Sequence, residues 1–312
     1  MRRLGLLALA VLVLAWPLLA PRYFVFLASL VLVNAIVAIG LNLLSGYTHQ
    51  LSFGHAGFLA VGAYTAAILG GHAAVPAPLA LLGAGLVTGA VGVALGIPCL
   101  RLEGLYLTMA TLAFGFVVTE AILNLEGLTR GADGLPVPGA RLGPWRLSTD
   151  TARYYLTAAV AAALTAAAVN LTRMRVGRAL LAIRESEIAA EASGVPVAAW
   201  KTVAFALSAF YTGVAGGLFA YLVGHLSPDA FDVFLSVDFV VMIILGGLGS
   251  VPGSIVGAAV VTVLHDSLAA VQQYRPLIFG LILIACMLFM PGGIAGVLRR
   301  NPWRGGSPAQ SS

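Results

Sequence analysis

The sequence predicts an all-α protein, a polytopic bundle of hydrophobic helices that cross a membrane. Hydrophobic residues make up 60% of the chain and charged residues only 9%, against roughly 25% charged in an ordinary soluble domain. Too few charges are present to wet the surface of a globule of this size, and mean hydropathy is +0.99. Apolar runs close to the roughly 20 residues that a spanning helix needs recur along the whole chain. Glycine, at 37 of 312 residues, is abundant, as it is where membrane helices approach closely through small residues.

The first run, 4–20, follows Met1, Arg2 and Arg3 like the start of a secretory signal peptide. Trp16, Pro17 and Pro21 make a poor small-residue cleavage site, and a second apolar run follows at once, so it reads as an uncleaved first membrane helix. Further spans fall at 23–44, 53–71, 78–98, 104–125, 153–172, 202–223, 236–249, 253–270 and 276–292. A Gly/Pro-bearing turn alone separates 236–249 from 253–270, which could instead form a re-entrant pair, so the count is about 8 to 10, with ten preferred. Ten alternating crossings with the N-terminus in the cytoplasm put eleven of the 17 basic residues inside and six outside. That is the sense of the positive-inside rule. Both termini are then cytoplasmic and residues 1–312 form a single transmembrane domain.

Two connections are long. The outer loop 126–152 is rich in turn formers such as Gly131, Gly134, Pro136 and Pro138. The inner loop 173–201 is the most polar stretch of the chain, and Arg178–Ala192 reads as one short amphipathic helix stopped by Gly194 and Pro196. Such a helix either lies on lipid headgroups or docks a cytoplasmic partner.

Soluble-enzyme signatures are missing: there is no nucleophile elbow, no metal-ligand cluster and no dinucleotide fingerprint, so no catalytic or metal-binding residue is assigned. Lys201, the only lysine, follows Trp200, so no phosphate-binding loop of the Walker A kind exists. Any ATP is used by partner subunits, and this chain needs no bound cofactor. The basic residues form no nucleic-acid-binding stripe. Cys99 and Cys286 sit far apart in apolar runs and read as packing residues. Ionisable residues within spans are few: His55, Glu120, Asp238, His265 and Asp266. Glu120, Asp238 and Asp266 fall near span ends and read as interfacial, and His55 reads as a structural hydrogen-bonding group. An ion-coupled transporter ordinarily shows a chain of buried acids or lysines, so that class is weakened.

The segments 46–64 and 245–257 mix Gly and Ser with apolar residues at spacings that interrupt a helix. Broken backbone at membrane depth is tolerated only where protein buries it or it lines a cavity. Two readings follow: tight packing through pairs such as Gly253 and Gly257, or lining of a pathway.

The run GLNLLSGYTHQLSFGHAGFLAVGAYTAAIL (40–69) closely resembles the signature of branched-chain amino acid ABC transporter permeases of the LivM type. LRLEGLYLTMATLAFG (100–115), GRALLAIRESEIAAEASGVPVAAWK (177–201), SPDAFDVFLSVDFVVMIILGGLGSVPGSIVGAA (227–259) and LFMPGGIAG (288–296) agree in the same order. The resemblance implies an ABC importer permease fold in a bacterial inner membrane. It also implies a LivH-type permease as partner, two cytoplasmic ATPases and a periplasmic amino-acid-binding protein. Loop 173–201 then resembles the coupling helix that docks into an ATPase groove, through Gly177, Arg178, Ile183, Arg184, Glu187, Ala189, Ala190, Glu191 and Gly194. Its Glu-Ala-Ala pattern carries an extra residue, Ile188, after the glutamate. Under this reading Ser52, Gly54, His55, Gly57, Gly247 and Gly249 line the translocation path. The rival substrates are urea and short-chain amides, and the rival class is an ion-coupled secondary transporter.

Overall fold

The structure, a computed structural model, describes residues 16–72, 75–100, 102, 104–142, 145–147 and 149–268, with isolated positions between 277 and 296. The spans expected at 4–20 and 276–292, and Cys286, lie largely or wholly outside the described residues. Each of the other eight spans holds a helix. They are α1 (Arg22–Leu41), α2 (His55–His72), α3 (Ala77–Cys99), α4 (Leu105–Asn124), α6 (Asp150–Arg173), α9 (Val197–Val223), α10 (Val233–Gly246) and α11 (Val251–Ser267). Among the described residues five helices are long and apolar enough to cross a membrane, with α2 and α11 as shorter apolar helices. The chain is a multi-pass helical membrane protein.

Local chemistry sets the ends. Pro21 and Pro76 precede α1 and α3, where a missing N–H costs nothing. Thr149 caps α6 by accepting from Ala152 N, with Asp150 in its first turn and Arg173 in its last, as the helix dipole favours. Asp232 accepts from Leu235 N and Ser250 from Gly253 N, which moves the starts of α10 and α11 a few residues ahead of the expected spans.

α9 is the central pillar. Its 27 residues reach about 40 Å, and it is buried along most of its length between α1, α2 and α3. Small residues allow this: a Cβ at Gly216 would strike Leu59 O of α2, and one at Gly213 would strike Thr88 of α3. Phe58, Phe205, Ile36, Leu44 and Leu218 fill the core around it. Tyr211 Oη reaches Leu164 O at 3.0 Å and ties α6 to this pillar. By contrast α4 and α6 are mostly exposed, as helices facing lipid or a partner are.

Contacts sort the helix ends into two sides that agree with alternating crossings. On one side, the loop after α4 holds a short helix α5 (Glu126–Thr129) and strands β1 (Leu135–Pro136), β2 (Arg141–Leu142) and β3 (Trp145–Arg146). β1 pairs antiparallel with β4 (His225–Leu226), just past α9, and Pro138 covers Gly70 at the end of α2. Tyr23 at the start of α1 donates to Asp266 at the end of α11 at 2.5 Å. On the other side the end of α1, the α10–α11 turn and the loop after α6 converge. Back towards the first side, Asp238 near the start of α10 and His265 near the end of α11 lie 3.4 Å apart.

The loop 173–201 departs from the single helix expected over 178–192. It is two helices, α7 (Arg175–Glu185) and α8 (Glu187–Ala192), with a break at Ser186. Ser186 is extended at φ −165°, and its hydroxyl accepts from Ala189 N, starting a new helix in place of continuing the old one.

Candidate functional site

At Gly46 the chain stops following helical geometry. α1 ends in a π-helical turn over Asn42–Gly46, and residues 47–54 run irregularly before α2 begins at His55. His55 contacts Ser208, close to the midpoint of α9, so α2 starts about halfway through the bundle. Unpaired backbone at such a depth is costly, and hydroxyls borrowed from other helices satisfy it. Phe53 N donates to Thr111 Oγ1 of α4 at 3.0 Å, and Ala56 N donates to Ser236 Oγ of α10 at 2.9 Å. Ser45 and Thr48 close the bend on Gln50 O and Leu44 O.

Four of the expected path residues gather here. Ser52 and His55 are fully buried; Ser52 Oγ lies 3.3 Å from His55 Nδ1, and His55 Nε2 lies 2.7 Å from Ser208 Oγ. Both partners are hydroxyls, which donate or accept as the imidazole tautomer requires. Gly54 lets the chain lie on the Thr111 carbonyl, and Gly57 lets α2 meet Phe114 and Gly115 of α4. Their neighbours Phe53 and Ala56 face a cavity of ≈ 330 Å³ between α2, α4 and the segment 228–236. Phe116 and Phe231 supply apolar walls, while Thr119, Asp229, Asp232 and Ser236 supply polar groups. This volume falls in the range of small-molecule sites, about 300–1,000 Å³.

Gly247 and Gly249 lie elsewhere, in the α10–α11 turn at the end of α1. Asn42, 1% exposed, is the hub there. Its Nδ2 reaches Ser254 Oγ at 2.6 Å and Ser250 O at 3.2 Å, and its Oδ1 accepts from Gly249 N at 2.8 Å. Gly253 and Gly257 serve packing, since a Cβ at Gly257 would strike Met242 O of α10.

The loop 173–201 splits its expected coupling residues between inside and outside. Gly177, Ile183 and Ala190 are buried against the bundle. Glu187 turns inward to Lys201, an ion pair of 2.5 Å that holds α8 on the N-terminal end of α9. Arg184 also turns inward, onto Gly46 O at 2.7 Å. Arg178, Ala189, Glu191 and Gly194 are exposed. Gly194 has φ +81°, and the bonds Val195 N to Ala190 O and Gly194 N to Glu191 O make a Schellman cap. The outermost apolar residue is Ile188, 84% exposed, the one that interrupts the Glu-Ala-Ala pattern.

Sequence reasoning missed Asn42, Thr111, Ser208, Ser236 and Lys201 as site-forming residues. A lone hydroxyl or amide in an apolar run gives a weak signal, because its partner lies up to 212 residues away.

A family model described as "Branched-chain amino acid transport system / permease component" matches residues 23–291. The high-affinity branched-chain amino acid transport system permease protein LivM of Salmonella typhimurium (strain LT2) is 34% identical over 96% of this chain and 76% of its own length. LivM of Escherichia coli (strain K12) is equally similar. LivH of the same E. coli strain is 22% identical over 84% of this chain and 91% of its own length. No solved structure matches the chain. The family model spans most of the crossing helices described above, and the chain belongs to the branched-chain amino acid transport permease family.

Proposed function

We propose that this chain is the membrane-spanning permease subunit of an ATP-driven importer of branched-chain amino acids in a bacterial inner membrane. It forms the translocation path with a second, LivH-type permease. Two cytoplasmic ATPases drive it, and a periplasmic binding protein delivers substrate. Loop 173–201 faces the cytoplasm, as do both termini. The observation that carries this reading is the construction of that loop. Ion pair, hydrogen bond and apolar contacts lock its inner face to the bundle, while Ile188 stands out bare beside Glu185, Ala189 and Glu191. A bare apolar residue rimmed by charge on a rigid platform fits a partner's groove better than it fits lipid headgroups.

The path runs beside Phe53 and Ala56, with Ser52, Gly54, His55 and Gly57 shaping its wall from behind. An amino acid with an apolar side chain needs an anionic group for its ammonium, a hydrogen-bond donor for its carboxylate and apolar walls for its side chain. Asp229 and Asp232 supply the first, the Ser236 hydroxyl the second, and Phe53, Phe116 and Phe231 the third. That pairing favours an amino acid over urea or a neutral amide. The test is reconstitution of the complete transporter in liposomes with ATP inside and loaded binding protein outside. Leucine accumulation that requires ATP is expected. Uptake driven by an ion gradient with this chain alone would refute the reading.

A further inference from the structure

Arg184 is a cation without an acidic partner among the described residues. Its Nη1 donates to Gly46 O at 2.7 Å, the last carbonyl of the π-helical turn that ends α1. Gly249, just past the end of α10, comes so close that a Cβ there would lie 2.7 Å from Nη1. The guanidinium therefore sits where the C-terminal ends of α1 and α10 converge, and the negative ends of two helix dipoles favour it there. Gly46 in turn touches Asn42 and Gly249 so closely that it admits no side chain. Asn42 joins the π-helical turn to the α10–α11 turn through Gly249 N, Ser250 O and Ser254 Oγ. One chain of contacts thus runs from α7 through Arg184 and Gly46 into Asn42 on one side and into the irregular segment 47–54 on the other.

A π-helical turn holds one residue more than an α-helical turn, and its interconversion with α-helix shifts everything beyond it by about one residue, or 100° of rotation. The residues immediately beyond it are those that lead to Phe53, Ala56 and the cavity. We propose that Arg184 is a positioning residue that carries movement of the coupling loop into segment 46–54, acting on the Gly46 carbonyl and through it on the Asn42 hub. It works from inside the permease and does not dock the ATPase. The inference rests on the import reading above, in which ATPases move this loop.

The test uses the complete transporter in liposomes, with Cys99 and Cys286 replaced by serine and the exposed Leu51→Cys as a reporter of the segment. Arg184→Ala should keep the ATPases bound and lower substrate uptake about tenfold, within the usual range of coupling effects. The thiol-labelling rate at Leu51→Cys should change between ATP-trapped and nucleotide-free states with Arg184 present, and stop changing in Arg184→Ala. Arg184→Lys keeps a donor and the charge and should recover part of both responses. Arg184→Gln, which removes the charge but keeps a longer polar side chain, should reproduce the Arg184→Ala result should that variant not fold. Near-normal uptake in Arg184→Ala overturns the proposal. So does loss of the ATPases from the variant, which would make Arg184 a docking residue, or labelling at Leu51→Cys that ignores nucleotide with Arg184 in place. Failure of the unmodified chain to bring ATPases with it would overturn the import reading itself.

Discussion

Glu187 and Lys201 are unequal ends of one ion pair. Lys201 is 5% exposed, whereas the Glu187 side chain keeps 43% of its surface in solvent. Removing the acid strands a buried ammonium, while removing the lysine leaves a carboxylate that water still reaches. Glu187→Ala should therefore cost about 1–3 kcal/mol, and Lys201→Met about 0–1 kcal/mol. Thermal unfolding of the two purified variants in detergent reads the difference, and equal losses would show that the burial asymmetry does not matter. Gly194 presents a second asymmetry. Among the described residues nothing lies within 4 Å of where its Cβ would be, so the backbone at φ +81° is what resists substitution. Gly194→Asn should be tolerated, since Asn visits this region readily, while Gly194→Val should cost about 1–2 kcal/mol and loosen the exit from α8. In the complete transporter Gly194→Val should lower uptake more than ATP hydrolysis. Unchanged uptake and unchanged substrate-stimulated hydrolysis would remove Gly194 from the coupling apparatus.

At the scale of elements, α7 and α8 act as one platform because Ile183 and Ala190 are buried and Glu187 is paired, which leaves Ile188 as the exposed apolar tip. Ile188→Asp touches no buried contact and should leave the thermal midpoint unchanged. It should nevertheless reduce co-purification of the ATPases about tenfold or more, the scale of an interface hot spot. Retention of the ATPases at normal yield would argue against this tip as the docking point. How much of this element was legible follows from the kind of signal each residue gives. The amphipathic period and the Gly194 stop depend on local chemistry, and both can be read directly. The break at Ser186 is also local, but the strong helix formers on either side mask it until the cap geometry is seen. The inward turn of Arg184 is not local at all, because its acceptor lies 138 residues earlier in the chain. The same holds for the proposed path: Gly54, His55 and Gly57 announce a broken helix, but the hydroxyls that make the break tolerable come from α4, α9 and α10. Gly247 and Gly249 look equivalent to that first cluster in sequence, and the fold instead sets them in the Asn42 hub.

On the scale of the whole molecule, alternation of crossings is written into the contacts between distant ends. The loop after α4 pairs with the chain after α9 through β1 and β4, and Tyr23 meets Asp266, so these ends share one side. Arg184, Gly46 and Gly249 meet on the other. One crossing, α6, separates the loop after α4 from loop 173–201, so a labelled site in each fixes the direction of that helix and, given the alternation, of the others. We propose, from the excess of basic residues in 173–201 and near the termini, that the second side faces the cytoplasm. Ala132→Cys in the loop after α4 and Ala189→Cys in α8 are suitable reporters because both native residues are exposed. In intact cells a membrane-impermeant thiol reagent should modify Ala132→Cys and spare Ala189→Cys. In inside-out vesicles the pattern should reverse, and ATPase binding should then protect Ala189→Cys. The opposite pattern would invert the molecule and place Ile188 away from any cytoplasmic motor. Modification of both from one side would break the alternation, and with it the placement of the proposed coupling face opposite the loop after α4.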